Sequence, residues 1–274
     1  MTRREKIIFQ LQHIMGYLAA PLLAPMYFGF LRVMGYRVQD LSRIRKVCRR
    51  LFQEHEGPWI VCANHLTMID SLLLIYAMAS LPGHLIHYRS LPWNLPERDN
   101  FQLNPALSLM CYLAKCVPVN RGGDRDEMKK VLDKCGYLLE KGHSLMIFPE
   151  GGRSRTGRVE RQNYTYGVGR FISAFPDSRV LCLYLRGERQ ESYGNMPKWG
   201  ERFYVAVEPL AVERGASAGL RENRALAGQV IETLARMEDD YFALCRQRHR
   251  GSAQPGSEGE VPRSALRGPG ADRG

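Results

Sequence analysis

No Cys-x-x-Cys pair occurs among the seven cysteines, and the number is odd. Most of them lie on apolar segments, so neither a disulfide framework nor a zinc site is indicated, and a reducing compartment fits. Formal charge is missing from Ile7 to Leu31 when His13 is neutral. Large apolar side chains almost vanish after Arg248, where Gly, Pro, Ser and Arg take over; such a stretch buries too little surface to order itself, and a disordered tail is expected over residues 247–274. Internal repeats are absent, which removes solenoid architectures. Aromatics interleaved with basic residues are also absent, as is a docking helix of known type, so nucleic acid is not an expected partner.

What is present is 274 residues, 45% of them hydrophobic, with a net charge of +11. That length and composition support one large α/β domain with appendages. The charge calls for an anionic partner, and a membrane surface or a phosphorylated substrate satisfies it. The uncharged N-terminal run approaches the roughly 20 residues that span a bilayer as a helix. Gly16, Pro21 and Pro25 interrupt it, and both flanks are basic. Positive flanks favour the cytoplasmic side, so a bent, monotopic hairpin entering and leaving one leaflet is the first expectation, with a single transmembrane span second. A cleaved signal peptide and a soluble core helix are the remaining readings. The expected organisation is an N-terminal membrane-associated segment over 1–50, an α/β domain over 51–246 and the tail.

From Gly57 onward, short β-rich runs alternate with helical ones. Strands are expected at Trp59 to Ala63, His84 to Tyr88, Cys116 to Val119, Leu145 to Phe148, Val180 to Leu185 and Phe203 to Val207. Helices are expected at Ile69 to Ala79, Pro105 to Ala114, Asp124 to Lys141, Tyr166 to Ser173 and Leu220 to Arg246, the third opened by an Asp124/Glu127 capping pair. Alternation of this kind predicts a central mixed, largely parallel sheet flanked by helices.

Three of these strands end in polar chemistry. Ile60 to Ala63 runs into Asn64 and His65, and a turn into the following helix can bring Asp70 back to the imidazole. Leu145 to Phe148 runs into Pro149-Glu150-Gly151-Gly152-Arg153-Ser154-Arg155, where glycines expose backbone amides and arginines offer forked donors for phosphate. Val117 to Val119 ends in Asn120-Arg121-Gly122-Gly123. Strand ends of this sort gather along one edge of a sheet, where ligands bind in open α/β folds. His84 and His87 would point to opposite faces of a strand, so no metal site is expected there. His143 reads as a surface residue and Cys62 as a buried strand cysteine. Gly215-Ala216-Ser217-Ala218-Gly219 fits the pattern of a nucleophile elbow but lacks a strand leading into the serine.

These blocks resemble the glycerolipid acyltransferases typified by 1-acylglycerol-3-phosphate acyltransferase. The family's Asn-His-x4-Asp motif is matched by Asn64, His65 and Asp70. Its Phe-Pro-Glu-Gly-Thr-Arg-Ser motif is matched by Phe148, Pro149, Glu150, Gly151, Arg153 and Ser154, with Gly152 in the threonine's place, and its arginine-ended strand by Val117 to Arg121. A fourth motif is present only as Val180 to Gly187, without its proline.

The resemblance implies transfer of an acyl chain from acyl-CoA or acyl carrier protein to the free hydroxyl of a lysophospholipid, foremost 1-acylglycerol-3-phosphate, giving phosphatidic acid. Another lysolipid acceptor, or a non-catalytic membrane lipid-binding protein on the same fold, are the alternatives. His65 is then the general base and Asp70 the group that orients it, since a neutral imidazole can take a hydroxyl proton near neutral pH. Asn64, Arg121, Glu150, Gly151, Gly152, Arg153 and Ser154 are the expected substrate-binding residues, with Arg89 and Arg186 as further phosphate contacts. No metal or cofactor is expected beyond the acyl donor. The expected partners are membrane lipids and the donor, and the expected location is the cytoplasmic face of the inner membrane.

Overall fold

The computed structural model describes residues 1–101, 104–120, 125–216 and 218–252. Six strands form one sheet in the order β1 (Arg37–Val38), β6 (Arg202–Leu210), β5 (Arg179–Gly187), β2 (Trp59–Ala63), β4 (Leu145–Ile147) and β3 (Trp93–Asn94). Neighbours are parallel except β5 and β6, which pair antiparallel. This is the mixed, largely parallel sheet expected from the alternation.

β2 is buried along its whole length, as a strand covered on both faces must be. Trp59, Val61 and Ala63 face a layer made by α2 (Leu41–Glu54), α3 (Asp70–Met78) and the end of α1 (Arg3–Val33). Ile60 and Cys62 face the other layer, α7 (Arg125–Glu140), α8 (Gly167–Ala174) and α9 (Leu220–Ser252). A side chain at Gly169 would collide with the carbonyl of Asn223, so glycine permits the close crossing of α8 and α9.

The N-terminal run is one continuous 31-residue helix instead of the expected bent hairpin. Thr2 and Glu5 close a capping box at its start. Its axis passes Pro21 and Pro25 because it is docked along one stripe: Phe9, Gln12, Gly16, Ala20, Ala24 and Leu31 are buried. Gln12 Nε2 donates to the carbonyls of Tyr112 at 2.8 Å and Cys116 at 3.0 Å. Tyr88 and the Leu113 carbonyl fill the space a side chain at Gly16 would need. Residues 1–50 are therefore part of the domain's packing, with β1 pairing to β6 and Ile44 and Cys48 in the core.

Other differences have local causes. His84 to Tyr88, expected as a strand, falls in α4 (Leu81–Ile86) and a following 3-10 turn. Ser80 caps α4 by accepting from Gly83 N, and Pro82 sits in its first turn, a start signal that outweighs the short apolar run. His84 and His87 therefore do not share a strand, and both ring nitrogens of His84 are engaged, with Ser80 O and the Tyr27 hydroxyl. Cys116 to Val119 makes only isolated bridges to Asn94 and Glu97, after the short α5 (Arg98–Phe101) and α6 (Pro105–Leu113). His143 is half-buried against His13 and Trp93 instead of exposed. α9 continues to Ser252, past the expected start of the tail. Asp124, Ser217 and residues 253–274 lie outside the described residues.

Candidate active site

His65 is the second residue beyond β2, where the strand's last paired position gives way to the loop before α3. Asn64 marks the exit. Its side chain accepts from Leu185 N at 2.8 Å and donates to Leu185 O at 2.9 Å, stitching the end of β2 to β5. Expected as a substrate contact, Asn64 is 3% exposed and acts as a clamp that fixes where the loop begins.

The loop then closes on a carboxylate. Asp70, at the start of α3, takes His65 Nδ1–H at 3.0 Å, Leu66 N–H at 2.6 Å and Thr67 N–H at 2.8 Å on one oxygen. The Thr67 hydroxyl donates to the other. One side chain thus sets both the turn and the imidazole's tautomer, and Nε2 is left as the ring's acceptor. No side chain or backbone group among the described residues takes Nε2. Phe148 stacks on the imidazole at 4.2 Å between centroids, which fixes the ring plane.

Glu150 grips the same segment from the β4 side. Its carboxylate accepts from His65 N at 2.9 Å and Glu160 N at 3.1 Å, while Ser154 N donates to His65 O at 2.9 Å. The backbone of the histidine is therefore held on both sides by the Pro149 to Ser154 turn. Burial pushes the Glu150 carboxyl up to about 7, with the two backbone N–H groups opposing and the charges of Glu238 and Asp70 adding. Gly151 needs glycine twice over: its φ is +73° and a side chain would strike the Thr165 methyl. Glu150, Gly151 and Ser154, expected to touch substrate, build the frame of the histidine; the Ser154 hydroxyl donates to the Arg158 carbonyl.

A cleft of about 490 Å³ opens at the C-terminal ends of β2, β3 and β4, lined by His65, Gly152, Arg153, Arg155, Phe148 and Tyr193, among others. This is the edge expected of an open α/β sheet. Arg153 Nη1 donates to Gly194 O at 2.9 Å and Asn195 Oδ1 at 2.7 Å, and its guanidinium lies 5.9 Å from the Tyr193 ring centre. The β5–β6 loop carrying those residues rests on the histidine loop, through Gly194 N to Leu66 O and Met68 N to Asn195 O.

Of the expected site residues, His65, Gly152 and Arg153 line the cleft and Asp70 stands behind the histidine. Arg121 lies outside the described residues. Arg89 lines a cavity at the opposite edge of the sheet and donates to Lys141 O at 2.8 Å. Arg186 is 6% exposed, donates to the Gly157 carbonyl and lies 5.3 Å from the Phe242 ring centre. Neither shares the cleft. Burial pushes the Cys62 thiol well up, in keeping with its reading as a core residue. Sequence reasoning missed Tyr193 and the Ser71–Asn94 pair, joined at 2.9 Å on the cleft wall, because each depends on a loop or edge strand without a local signal. Among the described residues there is no cluster of three or more metal-ligating side chains.

The acyltransferase family model matches residues 36–205, more than half of the chain. Two curated proteins are similar over most of it. A glycerol-3-phosphate acyltransferase of Histophilus somni (strain 129Pt) is 26% identical over 210 residues, 76% of this chain and 23% of that protein. A glycerol-3-phosphate acyltransferase of Actinobacillus succinogenes is 25% identical over 205 residues, 73% of this chain and 22% of that protein. The match thus spans under a quarter of the length of either relative.

Proposed function

Because the chain belongs to the acyltransferase family, we propose that it moves an acyl chain from acyl-CoA or acyl carrier protein to the free hydroxyl of a glycerol phosphate lipid, foremost 1-acylglycerol-3-phosphate, giving phosphatidic acid. The single observation that carries this reading is the His65 Nδ1–Asp70 contact at 3.0 Å, made by a histidine that lines a cleft together with Arg153 and Arg155. The acceptor's hydroxyl proton passes to Nε2 as its oxygen attacks the thioester carbonyl. Collapse of the tetrahedral intermediate breaks the C–S bond, and the proton on Nε2 leaves with the thiolate. Asp70 holds the ring in register and stabilises the imidazolium between those steps.

Arg153 is fixed through Nη1, which leaves Nε and Nη2 to meet the acceptor's phosphate; Arg121 is proposed as a second phosphate ligand on the resemblance alone. Tyr193 and Gly152 shape the space beside them. A second acceptor, glycerol-3-phosphate itself, is favoured by the activity named for both relatives. A non-catalytic lipid-binding role would not require the intact histidine–carboxylate pair. The outward apolar face of α1 supports placement on a membrane, and the basic flanks support its cytoplasmic face.

The test is thiol release by detergent-solubilised protein given acyl-CoA or acyl carrier protein with each of the two acceptors. The wild type should release thiol with one of them and His65→Ala with neither. Silence of the wild type in all four combinations, or unchanged turnover in His65→Ala, would overturn the reading.

A further inference from the structure

A second cavity, of about 680 Å³, lies at the N-terminal edge of the sheet, a strand's length from His65. Its walls include Arg45 and Arg49 of α2, Arg89, His87, Trp59 and Ile86. Glu56 is the one carboxylate among the described residues that line it.

The cations around this cavity are held by carbonyl oxygens and aromatic rings. Arg45 donates to Tyr76 O through Nε at 3.3 Å and Nη2 at 2.9 Å, and lies 4.9 Å from the Tyr76 ring centre and 5.8 Å from that of Phe28. Arg89 donates to Lys141 O. Behind Arg89, Lys115 is 3% exposed, and its ammonium donates to the carbonyls of Tyr88, Arg89 and Leu91. None of these three has a carboxylate partner among the described residues. Carbonyl dipoles accept some of their hydrogens but cancel none of the charge, and at Arg45 and Lys115 that charge sits in partly desolvated surroundings, where an uncompensated charge is costly. Burial accordingly lowers the Arg45 guanidinium's hold on its proton and, with Arg89 adding, pushes the Lys115 ammonium down to about 7. An anion in the cavity would supply the missing charge.

The surroundings say which anion. α4 supplies one wall, and its Ile86 is 73% exposed. α4 packs on α1, whose outward face shows Leu18, Leu22 and Met26 to solvent. On the other side, α2 presents Arg43, Lys46 and Arg49 outward. An apolar surface thus meets a basic one at the cavity's rim, the arrangement that suits a lipid headgroup at the membrane boundary.

We propose that this cavity is a second anion site, separate from the catalytic cleft, that seats the phosphate of an anionic phospholipid with its acyl chains against α1 and α4. The inference does not depend on the acyl-transfer reading. Its test uses the full chain in neutral detergent, titrated separately with dioctanoylphosphatidylglycerol, dioctanoylphosphatidylcholine and inorganic phosphate while tryptophan fluorescence is followed.

Phosphatidylglycerol should saturate the wild-type signal, and Trp59→Phe should lose that signal because Trp59 lines the cavity. Arg49→Glu should weaken binding about fivefold or more, on the scale of one charge at a lipid surface. Arg49 is exposed and its side chain makes no hydrogen bond or ion pair to the described residues, so this variant remains informative even where Arg45→Gln fails to fold. His65→Ala should bind phosphatidylglycerol as the wild type does. The proposal is overturned if phosphatidylcholine or free phosphate binds as tightly, if Arg49→Glu binds unchanged, or if His65→Ala abolishes binding and so locates the lipid in the cleft.

Discussion

Three neighbours remove the freedom of the His65 imidazole. Asp70 fixes the tautomer, Phe148 the ring plane and Glu150 the backbone. Asp70→Asn keeps the volume and can keep an oxygen on the three N–H donors, but it removes the negative charge beside the ring, so kcat should fall roughly 10²–10⁴-fold with little change in acceptor KM, which steady-state kinetics would read directly. Glu150 carries a pH dependence of its own. Its carboxyl is raised from an ordinary 4.5 to about 7, so the native state holds this proton more tightly than the unfolded chain. The stability linked to it is full below the unfolded value and is lost as pH rises through about 7. Thermal midpoints followed across that window should fall with rising pH in the wild type, and Glu150→Gln should flatten that slope. The glutamine has one acceptor oxygen, so it should also leave His65 N or Glu160 N unpaired and melt lower at the acidic end.

At the scale of elements, the site depends on how β2 ends. Its five apolar residues sit between β4 and β5, and the Asn64 clamp on Leu185 stops the ladder at a defined point. Asn64→Ala should strand a buried N–H and C=O of β5 and cost about 2–4 kcal/mol, measured by urea denaturation, with activity falling further than the folded fraction because the histidine loop loses its fixed start. The same scale explains why the prolines of α1 neither break nor fold it back. Gln12 and the space left by Gly16 lock the helix to the Tyr112–Cys116 and Tyr88 segments, and a docked stripe can hold an axis that an isolated chain would bend.

For the whole molecule, the two faces of α1 divide the labour. The inner stripe joins the domain core, while Leu18 and Leu22 are 71% and 74% exposed on the outer side. Burying such a side chain in a bilayer contributes about 1.5–3 kcal/mol. Leu18→Glu with Leu22→Glu should therefore move the protein from vesicles into the soluble fraction in a flotation assay, with thiol release from soluble short-chain substrates retained. The openings at opposite ends of the strands put the candidate active site and the proposed lipid site on separate edges of one sheet.

The sheet strands β2, β4, β5 and β6, the helices α3, α6, α7, α8 and α9, and the gathering of His65, Asp70 and Arg153 at one edge of the sheet were legible in the chain, because burial on both faces writes continuous apolar runs and turn chemistry is local. The two-residue strands β1 and β3 and the cleft residue Tyr193 were not, since they exist only through pairing with distant segments. The motif around Glu150 could be read as chemistry from its residues alone. Only the packed structure turned Asn64, Glu150, Gly151 and Ser154 into the frame of the histidine, because a side chain's hydrogen-bond partner is chosen by what folding brings within about 3 Å.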